Sequence, residues 1–237
     1  MNKAKTTGVS LTALLALVTL TSPIAIAQDT KMQDRVAELK LAVAFNKQSL
    51  AQYTWQEQQT ISIKGEVKKQ ELFQVQIGPD GKPQKTAIDP QQPSSGGRQH
   101  GLKHRVKEEK TEEYEDYGKQ IASLAQSYAK PDPEKIEQAR QQGNVMVGPT
   151  GVPNQDRLVI QNYLKPGDSM TFVFDRARKV VLSIQVSSYL DDPKDAVTIS
   201  AQFAQLPDGT NHVSSMVTNG VSKQLTVSDQ NSNYQKM

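Results

Sequence analysis

The stretch Ser169-Met170-Thr171-Phe172-Val173-Phe174-Asp175-Arg176-Ala177-Arg178-Lys179-Val180-Val181-Leu182-Ser183-Ile184-Gln185-Val186 decides the fold. Met170, Phe172 and Phe174 recur at every second position, so in an extended chain all three point to one side. Asp175 to Lys179 supplies a turn, after which Leu182, Ile184 and Val186 resume the same period. Two such runs joined by a short polar turn make an antiparallel hairpin. The pattern continues downstream with Val197, Ile199, Ala201 and Phe203, then a Pro207-Asp208-Gly209-Thr210 turn. Val213, Ser215 and Val217 follow, then Val221, Lys223, Leu225 and Val227. Upstream, Leu158, Ile160 and Leu164 alternate before the turn Lys165-Pro166-Gly167-Asp168. From Val145 onward the chain therefore predicts about six strands in meander order, each antiparallel to the last.

Before Val145 the period lengthens. Asp132 and Pro133 mark a helix start and Gly143 its exit. Ahead of them a long helix is predicted from Leu102 to Ala129, with Tyr114, Tyr117, Ile121, Leu124 and Tyr128 on one face. Residues 89–101 are rich in Pro, Ser and Gly and read as a flexible loop. Earlier still, Tyr53, Trp55, Ile61, Ile63 and Val67 share parity, and Phe73 to Ile77 alternates. Asp80-Gly81 signals a hairpin turn, with Pro83 to Ile88 as the return strand. A first helix, capped by Asp29 or Thr30, carries Met32, Val36, Leu39, Val43 and Leu50 on one stripe. The sum is an α+β fold. A single large curved antiparallel β-sheet has its apolar face covered by about three helices.

Residues 1–27 read as a cleavable signal peptide. Lys3 and Lys5 open it, Val9 to Leu20 is apolar, and Ala25-Ile26-Ala27 suits the peptidase. The apolar run is too short for a membrane span. Residues 28–237 would then form one domain, periplasmic or secreted, with no transmembrane segment after cleavage. The chain has 28 Lys and Arg against 25 Asp and Glu, and removing Lys3 and Lys5 leaves a net charge of +1. Such a balance gives no field to steer nucleic acid. With no cysteine, disulfides, thiolate metal sites and a lipidated cysteine are all excluded.

Motifs for chemistry are sparse. His100 and His104 have a ligand-like spacing of four that Glu108 extends, but the Pro and Gly residues just upstream give no preformed frame, so they read as a solvated, mobile pair. Arg98, Lys103, His104, Arg105 and Lys107 run straight into Glu108, Glu109, Glu112, Glu113, Glu115 and Asp116. Pairs such as Arg105 with Glu109 and Glu115 with Lys119 read as an exposed, salt-bridged helix. Asp191, Asp192 and Asp195 surround Pro193 in what reads as a polar bend rather than a calcium loop. His212 stands alone on a strand and reads as exposed. No nucleophile elbow, phosphate loop, dinucleotide motif or zinc-protease helix is present. The expectation is a protein that is not an enzyme and needs no cofactor or metal.

An export signal, an amphipathic first helix, a strand with Tyr53-Thr54-Trp55, central helices and the run Phe172-Val173-Phe174-Asp175 through Val180 together resemble the LolA-like envelope proteins. Tyr189 to Val197 and Leu206 to Thr210 are also similar to stretches of uncharacterised exported bacterial proteins. The first resemblance implies an open half-barrel whose apolar hollow holds acyl chains. The expectation that follows is a non-enzymatic cell-envelope protein that binds or carries a lipid or other apolar small molecule. Trp55, Phe172, Phe174 and Phe203 are its expected ligand contacts. The alternative is a structural or interaction protein of the envelope with a fully packed core.

Overall fold

The alternation of the quoted stretch becomes two paired strands, β6 (Ser169–Asp175) and β7 (Val180–Tyr189). Phe172 lies opposite Ile184 and Met170 opposite Val186, which puts these side chains on one face. The register then slips, because Val173 faces Ser183 while Phe174 faces Val181. Leu182 is the extra residue of a β-bulge. Val181 therefore enters the core in place of Leu182, and the count of two fails there by one residue.

The computed structural model of the chain describes residues 37, 46–88, 102–129 and 131–237, with residues 102–111 as backbone alone. The signal peptide, the loop at 89–101, His100, the His104 side chain and most of the first helix lie outside these residues. Ala37 and residues 46–50 are helical. The remaining elements are β1 (Tyr53–Ile63), β2 (Glu66–Ile77), β3 (Pro83–Ala87), α1 (Leu102–Ala129), α2 (Pro133–Gln141), β4 (Val145–Pro149), β5 (Gln155–Gln161), β8 (Ala196–Gln205), β9 (Asn211–Gly220) and β10 (Leu225–Lys236). All ten strands join one open sheet in the order β3-β2-β1-β10-β9-β8-β7-β6-β5-β4. Every neighbouring pair is antiparallel. Bulges or register shifts interrupt the β1–β10, β1–β2, β6–β7 and β8–β9 ladders. Irregularities of this kind bend strands and raise twist, which suits a curved sheet.

Several boundaries differ from those expected. Lys64 and Gly65 both have positive φ, 54° and 79°, as a two-residue hairpin turn requires. The first strand thus stops at Ile63, and Val67 belongs to β2, 58% exposed. Val221 sits in the turn after β9 at 56% exposure, so β10 begins at Leu225. Seven strands rather than about six follow Val145, the first being the short edge strand β4. Both edges of the sheet are short strands that carry a proline, Pro83 and Pro149, which discourages further pairing.

The helices follow their sequence signals closely. Asp132 caps α2 by accepting from the Glu134 backbone N–H at 2.9 Å. Gly143 leaves the helix at φ 75°. Tyr117, Ile121 and Tyr128 of α1 and Ile136 and Ala139 of α2 are buried, as the stripe predicts. They pack on Leu158, Ile160, Met170, Phe172, Val186 and Ile199 of the sheet. Each large apolar side chain buried there stabilises the fold by roughly 1.5–3 kcal/mol.

Gly220 at the end of β9 sets how closely α1 can dock. A Cβ there would lie 2.4 Å from Cε1 and 2.5 Å from the hydroxyl of Tyr117. Neither belongs to a flexible chain end that can swing away. Gly220→Ala is expected to cost about 1–3 kcal/mol by forcing the ring off its seat. Urea denaturation checks this, and an unchanged midpoint would show that α1 adjusts freely.

Candidate functional site

The inner face of β1 is one of the places where the chain buries polar groups. Tyr53, Trp55 and Glu57 alternate with more exposed neighbours and are 8%, 5% and 7% exposed. Glu57 lies opposite Asn231 of β10, and Gln59 lies opposite Asp229. Glu57 and Asp229 are therefore diagonal neighbours on one face, with Cα atoms about 7–8 Å apart. Asp229 is 5% exposed and accepts from Gln59 Nε2 at 2.8 Å. Lys85 reaches across from β3 to form an ion pair with Glu57. Burial pushes the Glu57 carboxyl above the usual carboxylate range; Lys85 opposes this shift and the Asp229 charge adds to it.

Beside these acids lies a small aromatic stack. Trp55 and Tyr234 are stacked with ring centroids 5.5 Å apart and planes 16° apart. The His212 ring is tilted against Tyr234, with ring centroids 4.1 Å apart. Trp55 Nε1 donates to Asn231 Oδ1 at 3.1 Å, and Asn231 Nδ2 donates to the Val213 carbonyl at 3.0 Å. The same carbonyl accepts from the Tyr234 hydroxyl at 3.1 Å and faces His212 Nδ1 at 3.2 Å. Burial raises the Tyr234 phenol and the Glu57 charge adds to it, while burial lowers His212. His212 is thus not exposed as its isolation on a strand suggests, being 7% exposed. Asn233, at φ 53°, lies where β10 slips register against β1, and the next residue is the Tyr234 that packs on the histidine. At the end of the row the Tyr53 hydroxyl donates to Asp208 Oδ2 at 2.6 Å. That bond is the main reason Asp208 is held down at about 2, with the Thr210 N–H next.

A second buried polar cluster fastens the helices to the sheet. Asp168 is 2% exposed and closes the β5–β6 turn by accepting from the backbone N–H groups of Tyr163 at 2.6 Å, Leu164 at 2.9 Å and Lys165 at 3.1 Å. Its carboxylate also takes the Tyr128 hydroxyl of α1 at 2.5 Å, and that hydroxyl lies 2.8 Å from Ser188 Oγ of β7. The Tyr163 hydroxyl in turn accepts from the Asp132 N–H at 2.6 Å. These groups are satisfied mutually and read as architecture.

The four expected ligand contacts are not brought together. Phe172 and Phe174, 2% and 6% exposed, lie in the core beneath the helices. Phe203 packs half-buried against the margin of that core, whereas Trp55 belongs to the separate stack on β1. Of the acidic bend, Asp192 Oδ1 accepts from the Lys194 N–H at 2.8 Å, and Asp195 Oδ1 accepts from the Tyr117 hydroxyl at 2.7 Å. Burial, then Asp195, pushes the Tyr117 phenol up to about 12. Among the described residues no group of three or more His, Asp or Glu is arranged to hold a metal ion. On α1, Lys119 pairs with Asp116 at 2.9 Å instead of Glu115, and Glu113 pairs with Lys223 in the β9–β10 turn. No described helix is long and apolar enough to cross a membrane.

Fold and site together define an α+β protein built on an open ten-stranded antiparallel sheet, with a polar and aromatic cluster at the β1–β10 seam. No family model matches the chain, and no curated protein matches it. Among solved structures it is similar to a DUF1329 family protein from Desulfovibrio piger, at 15% identity and a TM-score of 0.42 over 84% of this chain and 92% of that one. No residue role is carried over from that structure.

Proposed function

We propose that the protein is an exported, non-enzymatic envelope protein that binds a lipid or other apolar ligand on the inner face of its sheet. The observation that carries this reading is the uneven cover of that face. Over β4 to β8 and at the Gly220 end of β9 the helices cover it, with Ile121, Ile160 and Met170 at 0% exposure. Toward β1 and β10 and along the rest of β9 the same apolar surface continues through Ile63, Val227 and Met216, which are only partly buried. A half-covered apolar row continuous with a core is where an apolar ligand gains most from leaving water. The ligand seat in this reading lies toward the seam rather than at Phe172 and Phe174, and the sheet works as the half-barrel of the LolA-like resemblance. The signal peptide supplies the periplasmic or secreted address.

Native purification followed by extraction and mass spectrometry tests the proposal, together with displacement of a fluorescent fatty-acid probe. Bound lipid is expected, and Met216→Glu should weaken probe binding at least tenfold while far-UV circular dichroism stays unchanged. A clean extract with no probe binding would leave the second reading, a structural or interaction protein. The sealed half of the core, with Phe172 at 2% exposure, favours that alternative.

A further inference from the structure

The stack at the seam holds a titratable ring whose burial favours the neutral form, an effect that the Val213 carbonyl beside Nδ1 offsets only in part. His212 is 7% exposed, and its ring lies against Tyr234, which lies against Trp55. Its Nδ1 faces the Val213 carbonyl, which already accepts from Asn231 and from Tyr234. A carbonyl oxygen has two lone pairs, so the third contact is the weakest placed. Among the described residues, each charge on the strands around the ring already has a partner of its own. On β8, Ala204 lies opposite His212 and Phe203 opposite Val213. On β10, Asp229 is bonded to Gln59, and Lys236 lies 3.9 Å from Asp208. On β1, Glu57 is paired with Lys85 of β3, and Tyr53 is bonded to Asp208 of the β8–β9 turn.

We propose that His212 is a built-in acid sensor. Protonation of its ring opens the Trp55–Tyr234–His212 stack and loosens the junction of β1, β10 and β9. That junction is where the first three strands attach to the seven that follow Val145. The hydrogen bonds Trp55–Asn231 and Asn231–Val213 cross it from one side to the other. A charge introduced beside the Val213 carbonyl competes for the acceptor on which the stitch ends. The device stands on this geometry and does not depend on what the sheet binds.

The sign follows from burial. Because His212 is held below its ordinary 6.5, its contribution to stability is complete above that pH and is lost as pH falls through the lower folded value. Glu57 acts the other way, since its burial favours the protonated carboxyl and acid relieves it. Asp208, held at about 2, stays ionised throughout the window.

Trp55 is the chain's one tryptophan, so its emission reports on the stack directly. In the full chain titrated from about pH 7.5 to about pH 4.5, a reversible red shift of Trp55 emission is expected below pH 6.5, with far-UV circular dichroism retained. His212→Phe, which keeps an aromatic ring in place, should abolish the shift, and Glu57→Gln should leave it. The same transition in His212→Phe, or no transition in the folded wild type, would overturn the proposal. Should His212→Phe not fold, NMR of the wild type decides. A Trp55 indole N–H that moves with the His212 ring titration supports the sensor, and one that does not move with it refutes it.

Discussion

Replacing Asp168 by alanine is expected to lower stability by about 3–5 kcal/mol, the cost of leaving several buried donors without an acceptor. The carboxylate takes three consecutive backbone N–H groups and the Tyr128 hydroxyl, and at 2% exposure these donors are shielded from bulk water. Its loss would unfasten the β5–β6 turn and, through Tyr128, the C-terminal end of α1. For a chain of this size each kcal/mol moves the melting temperature by roughly 2–4 °C, so a fall of roughly 10 °C should appear in a calorimetric scan. Asp168→Asn keeps one acceptor oxygen but turns an N–H₂ toward donors, so it should lie between wild type and alanine. Tyr128→Phe removes a single hydroxyl and should cost about 1 kcal/mol. An Asp168→Ala variant as stable as Tyr128→Phe would show that the turn holds without its carboxylate.

Phe172→Ala is expected to cost about 3–5 kcal/mol, the range for emptying a buried aromatic site. Phe172 is 2% exposed and is packed among Ile121, Ile160, Met170 and Val186. The surrounding residues come from two layers, so they cannot collapse fully into the gap. Phe203→Ala, at the half-buried margin, should cost clearly less, about 1–2 kcal/mol. Chemical denaturation of both variants separates two roles for the phenylalanines. A large loss at 172 and a small one at 203 identifies the first as core. Equal and small losses would mean that the helices leave the central sheet open, and would return Phe172 to the ligand-binding face.

The long helix was legible because the stripe from Tyr114 to Tyr128 and the Pro131-Asp132-Pro133 boundary are local signals. So was the β2–β3 hairpin, marked by Asp80-Gly81. The Lys64-Gly65 turn was not, because lysine rarely takes positive φ and the apolar parity of Ile61 and Ile63 resumes at Val67. Leu182 shows a second limit. A bulge is set by the partner strand, so counting by two along β7 alone cannot reveal it. Nothing in the local sequence marks Glu57 and Asp229, and His212 reads as exposed, yet all three are buried. Their burial depends on what lies across the seam, and Trp55 meets Asn231 over 176 positions of chain.

Local signals along the chain are enough for the α+β class, the two helices after residue 101 and most of the hairpins. Period, capping and turn chemistry act over a few residues and need no partner to be read. The return of β10 to β1, with Ile63 opposite Leu225 and Tyr53 opposite Lys236, comes from pairing between the two ends of the fold. Beyond Val227 the last strand has no apolar alternation, and its place is set by backbone hydrogen bonds that every residue type can make. That pairing creates the seam, and the seam turns scattered polar and aromatic residues into the one cluster proposed to respond to pH.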